Sequence, residues 1–290
     1  MQVRDFLLAC LMAVIFGLGW VFAKAAMSHF PPILLAAFRF GVTALVLIWF
    51  AKVPTGKWLD MMFISVFAFG VPYSLSYAAM KDLDVSTSVL LAQMEAPMLM
   101  LMAAVFLRET PTLRQAIGIL LALVGVVLLV GIVLSQGFIL AAILSLASTL
   151  IWAIGQIRVR TLAGDGGLST LAWASLFAAP QFTLLSLLFE SAQVTAVRTA
   201  TIESWLAVVY LGVVMTALGI GIWYHLLGRV AVIRVAPFLL LVPPISILGG
   251  VLLLGERPTA LQLIGGMIII SGVALIVTEK KADETVVAPS

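Results

Sequence analysis

The chain is a succession of ten apolar runs, each close to the length of about 20 residues that an α-helix needs to cross a bilayer. Short turns that contain polar residues, proline or glycine join these runs. The sequence therefore predicts an all-α membrane protein with ten transmembrane helices. We expect the helices at Phe6–Met27, Pro31–Ala51, Met61–Met80, Val85–Leu107, Leu113–Val133, Phe138–Thr161, Leu168–Leu188, Ser204–Leu226, Val230–Leu254 and Thr259–Val277.

The composition excludes a soluble globular domain. Of the 290 residues, 63% are hydrophobic and 10% are charged, whereas about 25% are charged in soluble domains. Basic residues are more numerous on the side of the N-terminus, which predicts that both termini lie in the cytoplasm. The positive net charge is thus a topology signal, and no nucleic-acid partner is expected. Arg4 and the first apolar run resemble a signal peptide, but we expect the run to be retained because it has a counterpart in the second half.

The two halves of the chain repeat each other. A shift of 147 positions brings residues of the same type together, since Glu109, Pro111, Gln115, Gly118 and Gly125 fall on Glu256, Pro258, Gln262, Gly265 and Gly272. Each repeat has five predicted crossings, an odd number, so the two repeats must insert in opposite orientations. This is the inverted-repeat architecture of secondary transporters, which alternate access to a central site. We expect repeats at residues 1–134 and 135–279, and a cytoplasmic tail at 280–290.

The fourth apolar run is interrupted at its centre by Gln93, Glu95 and Pro97. An ionisable side chain at that depth costs roughly 2.5–3.5 kcal/mol, and proline frees a backbone carbonyl. Under the shift of 147, Pro97 falls on Pro244. Interrupted helices at matching positions of two halves are the best sequence indication of a transporter's binding site.

Two charged residues are the main candidates for that site. Burial favours the protonated form of a carboxyl group, so Glu95 is interpreted as a proton-coupling group or as a ligand for a substrate amine. The alternative is a structural carboxyl that is hydrogen-bonded to neighbouring helices. Arg39 lies about 12 Å inside the second helix. It would bind a substrate carboxylate or pair with Glu95, and the alternative is an arginine that snorkels to the interface or serves packing.

Further candidates lie at matching positions of the repeats. Substrate-binding candidates besides Arg39 and Glu95 are Gln93, Tyr77, Trp20, Trp152, Gln156 and Tyr224, although aromatic residues in membrane helices also serve packing. A shift of 136 brings Gly19 onto Gly155, and both are expected to allow close helix packing. Glu109 and Glu256 precede proline at predicted helix starts and are interpreted as structural.

Enzyme motifs are missing from the sequence. It contains no H-E-x-x-H, P-loop or G-x-S-x-G pattern. His225, the one histidine inside a predicted helix, is interpreted as a proton relay or as a water-facing residue near a helix end. With one cysteine and two histidines, no metal or cofactor site is predicted.

Several stretches carry a family resemblance, namely Gly219–Trp223, Leu226–Arg229, Arg234–Pro237 and Leu240–Pro243, together with Pro31-Pro32 and Arg39-Phe40. They resemble the EamA branch of the drug/metabolite transporter superfamily, and within it the exporters of cysteine and O-acetylserine. The resemblance implies ten helices in two repeats and export of small metabolites from the bacterial cytoplasm across the inner membrane, in some members by antiport. Glu95 and Phe16 depart from the glutamine and tryptophan that the resemblance predicts there.

The sequence thus predicts a secondary active transporter that exports amino acids or their derivatives, with protons as the candidate coupling ion. The expected partners are the lipid bilayer and the small-molecule substrate, and the chain would act as a monomer or homodimer. One alternative is efflux of multiple drugs or aromatic compounds. Another is a membrane scaffold without transport activity, for which neutral changes at Glu95 and Arg39 would alter assembly but no solute flux.

Overall fold

The computed structural model describes residues 3–106, 112–135, 138–161, 167–227 and 236–277. Within these ranges the regular secondary structure is helical, and no strand is present. We number the ten apolar helices in chain order: α1 (Val3–Ala26), α2 (Pro32–Leu47, extended by a 3₁₀ turn Ile48–Phe50), α3 (Trp58–Asp82), α4 (Val85–Phe106), α5 (Leu113–Ser135), α6 (Ile139–Thr161), α7 (Gly167–Phe189), α8 (Ile202–Val209, Tyr210–Ile220 and Gly221–Leu227), α9 (Val242–Leu254) and α10 (Ala260–Val277). A short helix, Gln193–Thr199, joins α7 to α8.

Seven of these helices are long and apolar enough to cross a membrane, namely α1–α4 and α6–α8. The apolar stretches of α5, α9 and α10 are shorter over the described residues, so the number of ten crossings stays a prediction. The observed helix bounds lie within a few residues of the predicted ones, except at α9. There a 3₁₀ segment, Ala236–Leu241, precedes the α-helix, and the predicted start at Val230 lies outside the described residues.

The predicted interruption of α4 is present. The α-helical segment Val85–Ala92 ends before Gln93, and a second segment begins at Glu95. Gln93 and Met94 instead donate to the carbonyls of Leu90 and Leu91, three residues back. Pro97 has no N–H with which to bond the Gln93 carbonyl, which explains why the helix breaks four residues before the proline.

The second repeat has a matching interruption. Under the shift of 147, Met94 falls on Leu241, where the 3₁₀ segment of the second repeat ends and α9 begins. The prediction of two broken helices at equivalent positions is therefore confirmed.

Both third helices also contain a π-helical segment, which the sequence analysis did not predict. The segments are Ser65–Gly70 in α3 and Tyr210–Ile220 in α8. The shift of 147 carries residues 65–70 onto 212–217, inside the second segment. Wide turns of this kind often mark functional positions within helices.

Helices that are equivalent in the two repeats pack against each other in opposite directions. The start of α2 lies beside Glu190, which follows α7, and Lys52, beyond the end of α2, lies beside Ser169 at the start of α7. α5 and α10 also pack together, with Gly118 against Gly272. Each pair therefore runs antiparallel.

The first helix of each repeat packs against the third and fourth helices of the other repeat. α1 packs on α8 and α9, while α6 packs on α3 and α4. A Cβ atom at Gly155 would collide with the backbone of Phe67 and Ala68 in the π-helical segment of α3, and one at Gly19 would collide with Met215 in that of α8. The expectation that Gly19 and Gly155 allow close packing is confirmed.

Candidate substrate site

Arg39 lies at the centre of a buried polar cluster between α2, α3 and α8. Its side chain is 2% exposed. Nε donates to the hydroxyl of Thr216 at 2.9 Å, and Nη1 donates to the hydroxyl of Tyr77 at 2.9 Å. The guanidinium carbon also lies 4.8 Å from the ring centroid of Tyr73. The hydroxyls of Tyr77 and Thr216 and the ring of Tyr73 therefore surround a cation inside the helix bundle.

No carboxylate among the described residues forms an ion pair with Arg39, so the predicted alternative of an Arg39–Glu95 pair is wrong. The snorkelling alternative is also wrong, because the guanidinium is buried among hydroxyls. Hydroxyl groups and a ring face offset part of the cost of burying a cation but supply no negative charge. The cluster therefore has the electrostatic character of a receptor for an anion.

Tyr73 of α3 lies beside Arg39. It precedes Tyr77 by four residues, and the two ring centroids are 6.1 Å apart. Its ring centroid is 4.8 Å from the guanidinium carbon of Arg39. Glu95 belongs to the same electrostatic neighbourhood of Tyr73, and it forms no ion pair with Arg39.

Glu95 begins the second segment of α4, directly after the break, and is half-buried. No described residue forms a hydrogen bond or an ion pair with its carboxylate, so the coupling and structural interpretations of Glu95 both stay predictions. A carboxylate in the first turn of a helix is favoured by the helix dipole. Gln93 is also half-buried and lies at the break itself.

The other predicted site residues are not in polar contact with this cluster in the part of the chain that is described. Trp20 on α1 is half-buried and packs against the same apolar cluster as Tyr77. Trp152 and Gln156 are half-buried on α6, on either side of Gly155. The side chain of Tyr224 lies outside the described residues.

The sequence analysis missed Tyr73 and Thr216. The spacing of Tyr73 from Tyr77 places both on one face of α3, which was an available signal. Thr216 had no such signal, because an isolated threonine in an apolar run gives no indication of which helix it faces.

A second polar cluster lies at the turn between α3 and α4. Nζ of Lys24 donates to the carbonyl oxygens of Met80 at 2.6 Å, Lys81 at 3.0 Å and Leu83 at 2.6 Å. Glu256 accepts from the backbone N–H of Val85 at 2.6 Å. The two charged side chains thus bind the end of α3 and the start of α4, each with the sign that the helix dipole favours.

Two minor predictions concern helix ends. Glu256 was expected to serve the start of the helix that follows it, but it caps α4, because the chain folds α9 and α10 against α4. Glu109 lies outside the described residues. His225 is exposed near the end of α8, and both interpretations of it stay predictions.

A cleft of 590 Å³ opens between the turn from α1 to α2 and the end of α7. His29, Lys81 and Glu190 contribute to its lining. The Glu190 carboxylate there accepts from the backbone N–H groups of Ile33 and Leu34, so it caps α2. None of the predicted site residues lines this cleft.

Known proteins resemble this chain over most of its length. Residues 4–131 and 137–278 each match the model of the EamA-like transporter family. The "Probable amino-acid metabolite efflux pump" of Salmonella typhimurium is 34% identical over 284 residues, which cover 94% of both chains. The protein of that name from Escherichia coli is 31% identical over the same coverage.

One further relative has a substrate in its name, and one solved structure has a similar fold. The "Probable terminal-alkyne amino-acid exporter" of Streptantibioticus cattleyicolor is 32% identical over 177 residues, covering 61% of this chain and 58% of that protein. A solved crystal structure superposes with a TM-score of 0.67 at 20% identity, covering 95% of this chain and 98% of that one. At that identity the superposition supports the fold alone.

Proposed function

This chain belongs to the EamA-like transporter family, and from that premise we propose that it exports a small carboxylate-bearing metabolite, an amino acid or a derivative, across the bacterial inner membrane. The names of the Salmonella and Escherichia relatives support this substrate class. Apolar helices that are long enough to span a membrane support a multi-pass membrane location. Both termini would lie in the cytoplasm.

The observation that carries the proposal is the buried guanidinium of Arg39, which has no carboxylate partner among the described residues. Its neighbours Tyr77 and Thr216 are neutral hydroxyls. In a low-dielectric interior an unpaired cation is costly, and a substrate carboxylate would offset that cost through a charge-assisted hydrogen bond. Binding would then favour substrates that carry a carboxylate over otherwise identical substrates that do not.

Glu95 supplies the second half of the proposal. Its half-buried carboxyl lies in the electrostatic neighbourhood of Tyr73, with no described hydrogen-bond partner. It would bind the substrate ammonium, or take up a proton from one side of the membrane and release it to the other. In either role the broken helix α4 presents a polar backbone to the substrate, as the unwound helices of secondary transporters do.

Alternating access would follow from the antiparallel packing of equivalent helices. If α2 and α7, and α5 and α10, are related by a two-fold axis in the membrane plane, exchange of the two repeat conformations opens the site first to one side and then to the other. The bonds of Lys24 and Glu256 at the turn between α3 and α4 would close one end of the pathway.

Flux measurements in proteoliposomes test the proposal. The panel contains cysteine and O-acetylserine, each with its methyl ester, which removes the carboxylate, and its N-acetyl form, which removes the ammonium. We expect flux of the amino acids, at least tenfold weaker flux of the esters, and stimulation by a pH gradient. No flux for any amino acid, or flux of planar aromatic cations instead, would contradict the proposed substrate class.

A further inference from the structure

We propose that Thr216 is a positioning residue that aims Arg39 at the substrate carboxylate, and that the π-helical segment of α8 serves to bring its hydroxyl there. This inference rests on the proposed function, because Arg39 is taken as the carboxylate ligand. Thr216 does not touch the substrate in this scheme. It acts through Arg39.

The hydroxyl of Thr216 can act only as an acceptor towards Arg39. Its oxygen lies 2.7 Å from the carbonyl oxygen of Leu211, five residues back, to which it donates its single hydrogen. It can therefore only accept from Arg39, whose Nε lies 2.9 Å away. Thr216 is fully buried, so no water competes for this acceptor.

The wide turn explains why Thr216 faces Arg39. In an ordinary α-helix a threonine hydroxyl bonds the carbonyl four residues back, which here belongs to Gly212. That carbonyl instead lies 2.9 Å from the Thr43 hydroxyl of α2, whose single hydrogen is shared between the carbonyls of Gly212 and Arg39. The π-helical turn shifts the bond of Thr216 to Leu211, so the Gly212 carbonyl contacts α2 and not the Thr216 hydroxyl.

Gly212 also sets how closely the two helices approach. A Cβ atom at this position would lie 2.9 Å from the carbonyl oxygen of Arg39 and 2.7 Å from the Cβ of Val42. Without a side chain at Gly212, α8 comes close enough for Thr216 to reach the guanidinium.

The bond between Nε of Arg39 and Thr216 determines which N–H groups of the guanidinium can bind the substrate carboxylate. Arginine binds a carboxylate through two parallel N–H groups, either Nε with one terminal nitrogen or both terminal nitrogens. Thr216 occupies the single N–H of Nε, so the carboxylate must approach the terminal nitrogens. Loss of the hydroxyl frees Nε and allows a second orientation of the side chain, which weakens the preference for one substrate pose.

The test uses Thr216→Val, which keeps the shape and removes the acceptor, and Thr216→Ser, which keeps the hydroxyl. Thr149→Val is the matched control, since Thr149 is a similarly buried threonine on α6, outside the α2–α8 contact, and its hydroxyl donates to the Leu146 carbonyl of its own helix. We expect Thr216→Val to raise KM for the amino acid about tenfold at a nearly unchanged maximal rate. Thr216→Ser should stay within about threefold of the wild type, and Thr149→Val should lower thermal stability slightly without changing KM.

A second measurement does not depend on transport. The Nε–H of Arg39, labelled with ¹⁵N in nanodiscs, should exchange faster and shift in Thr216→Val but not in Thr149→Val. An unchanged Nε–H signal, or an equal rise of KM in both valine variants, would overturn the positioning role. Absence of any carboxylate preference in the wild type, with the Nε–H response intact, would overturn the proposed function and leave the Thr216–Arg39 bond supported.

Discussion

In the first repeat the broken fourth helix carries Gln93 and Glu95, whereas Leu240 and Val242 stand at the equivalent positions of the second repeat. The break itself occurs in both repeats, and its backbone geometry follows from the matching prolines Pro97 and Pro244. Two regions with one origin thus share a main-chain feature and differ in charge.

The same contrast holds around Arg39. Under the shift of 136, Arg39 falls on Ser175, and under the shift of 147, Tyr73 falls on Ile220. Thr216 in turn has an aromatic counterpart, Phe69. Most polar groups of the site therefore come from the first repeat. The comparison indicates that glycines, prolines and wide turns, which recur, build the scaffold. Apart from Tyr77, which recurs as Tyr224, the residues that supply the chemistry differ between the repeats.

The largest effect on transport is expected from replacing Arg39, whose counterpart in the second repeat is Ser175. Arg39→Met should lower amino-acid flux at limiting substrate by about 30-fold to 4,000-fold, since loss of a charge-assisted contact costs about 2–5 kcal/mol. The variant should keep or gain thermal stability, because it removes a buried cation without a described counter-charge. Proteoliposome flux and thermal denaturation in detergent measure the two effects.

Ser175→Ala is the matched control for Arg39→Met. Ser175 is fully buried and its hydroxyl has no hydrogen-bond partner among the described residues, so its loss should leave flux and stability nearly unchanged. If Arg39→Met unfolds the protein while residual folded material transports normally, Arg39 is structural and the contrast between repeats carries no functional meaning.

The scaffold was largely predictable from the sequence because it depends on local rules. Apolar runs of sufficient length predict membrane helices, and a proline that cannot donate predicts the break at Gln93. The close approach at Gly19 and Gly155 followed from their equivalent positions in the repeats. These features need no knowledge of which helices become neighbours.

The site was less predictable because its geometry depends on helix neighbours. Arg39 was a candidate from sequence, but its partners come from α3 and α8, and the predicted pair with Glu95 did not form. Thr216 reaches Arg39 only through a π-helical turn, for which no residue pattern was evident. Glu256 caps α4 because of tertiary packing, although the sequence places it beside α10.

The next effect concerns coupling at Glu95, which has the apolar counterpart Val242. Glu95→Gln should reduce flux driven by a pH gradient about tenfold or more, while substrate counterflow at equal pH persists. The reason is that the amide keeps the shape of the side chain but cannot take up and release a proton. Glu95→Asp, which retains a carboxyl, should preserve part of the gradient-driven flux. If counterflow and gradient-driven flux fall together in Glu95→Gln, the carboxylate binds substrate and does not couple protons.

A smaller effect tests the scaffold side of the comparison. Gly125 and Gly272 are equivalent, and a Cβ atom at either would lie within 2.7 Å of a backbone carbonyl oxygen of the facing helix, that of Gly265 or Gly118. Gly125→Ala and Gly272→Ala should therefore each destabilise the fold by about 1–3 kcal/mol. Equal decreases in the midpoint of thermal denaturation would support a two-fold relation between α5 and α10, and a loss in one variant alone would contradict it.

The smallest effect tests whether the second repeat stabilises the first at its helix ends. Glu190 and Glu256 follow α7 and α9, yet they accept from the first N–H groups of α2 and α4. Glu190→Gln and Glu256→Gln each weaken such a cap, so each should lower the free energy of unfolding by about 0.5–2 kcal/mol.

Glu203→Gln is the control, since this carboxylate lies in the first turn of α8 and is exposed. Because Glu256 also lies near Lys24, its variant should have the larger effect of the two. Equal thermal midpoints for all three variants would show that these carboxylates contribute no more than an exposed acid at a helix start, and that the ends of α2 and α4 are held by apolar packing.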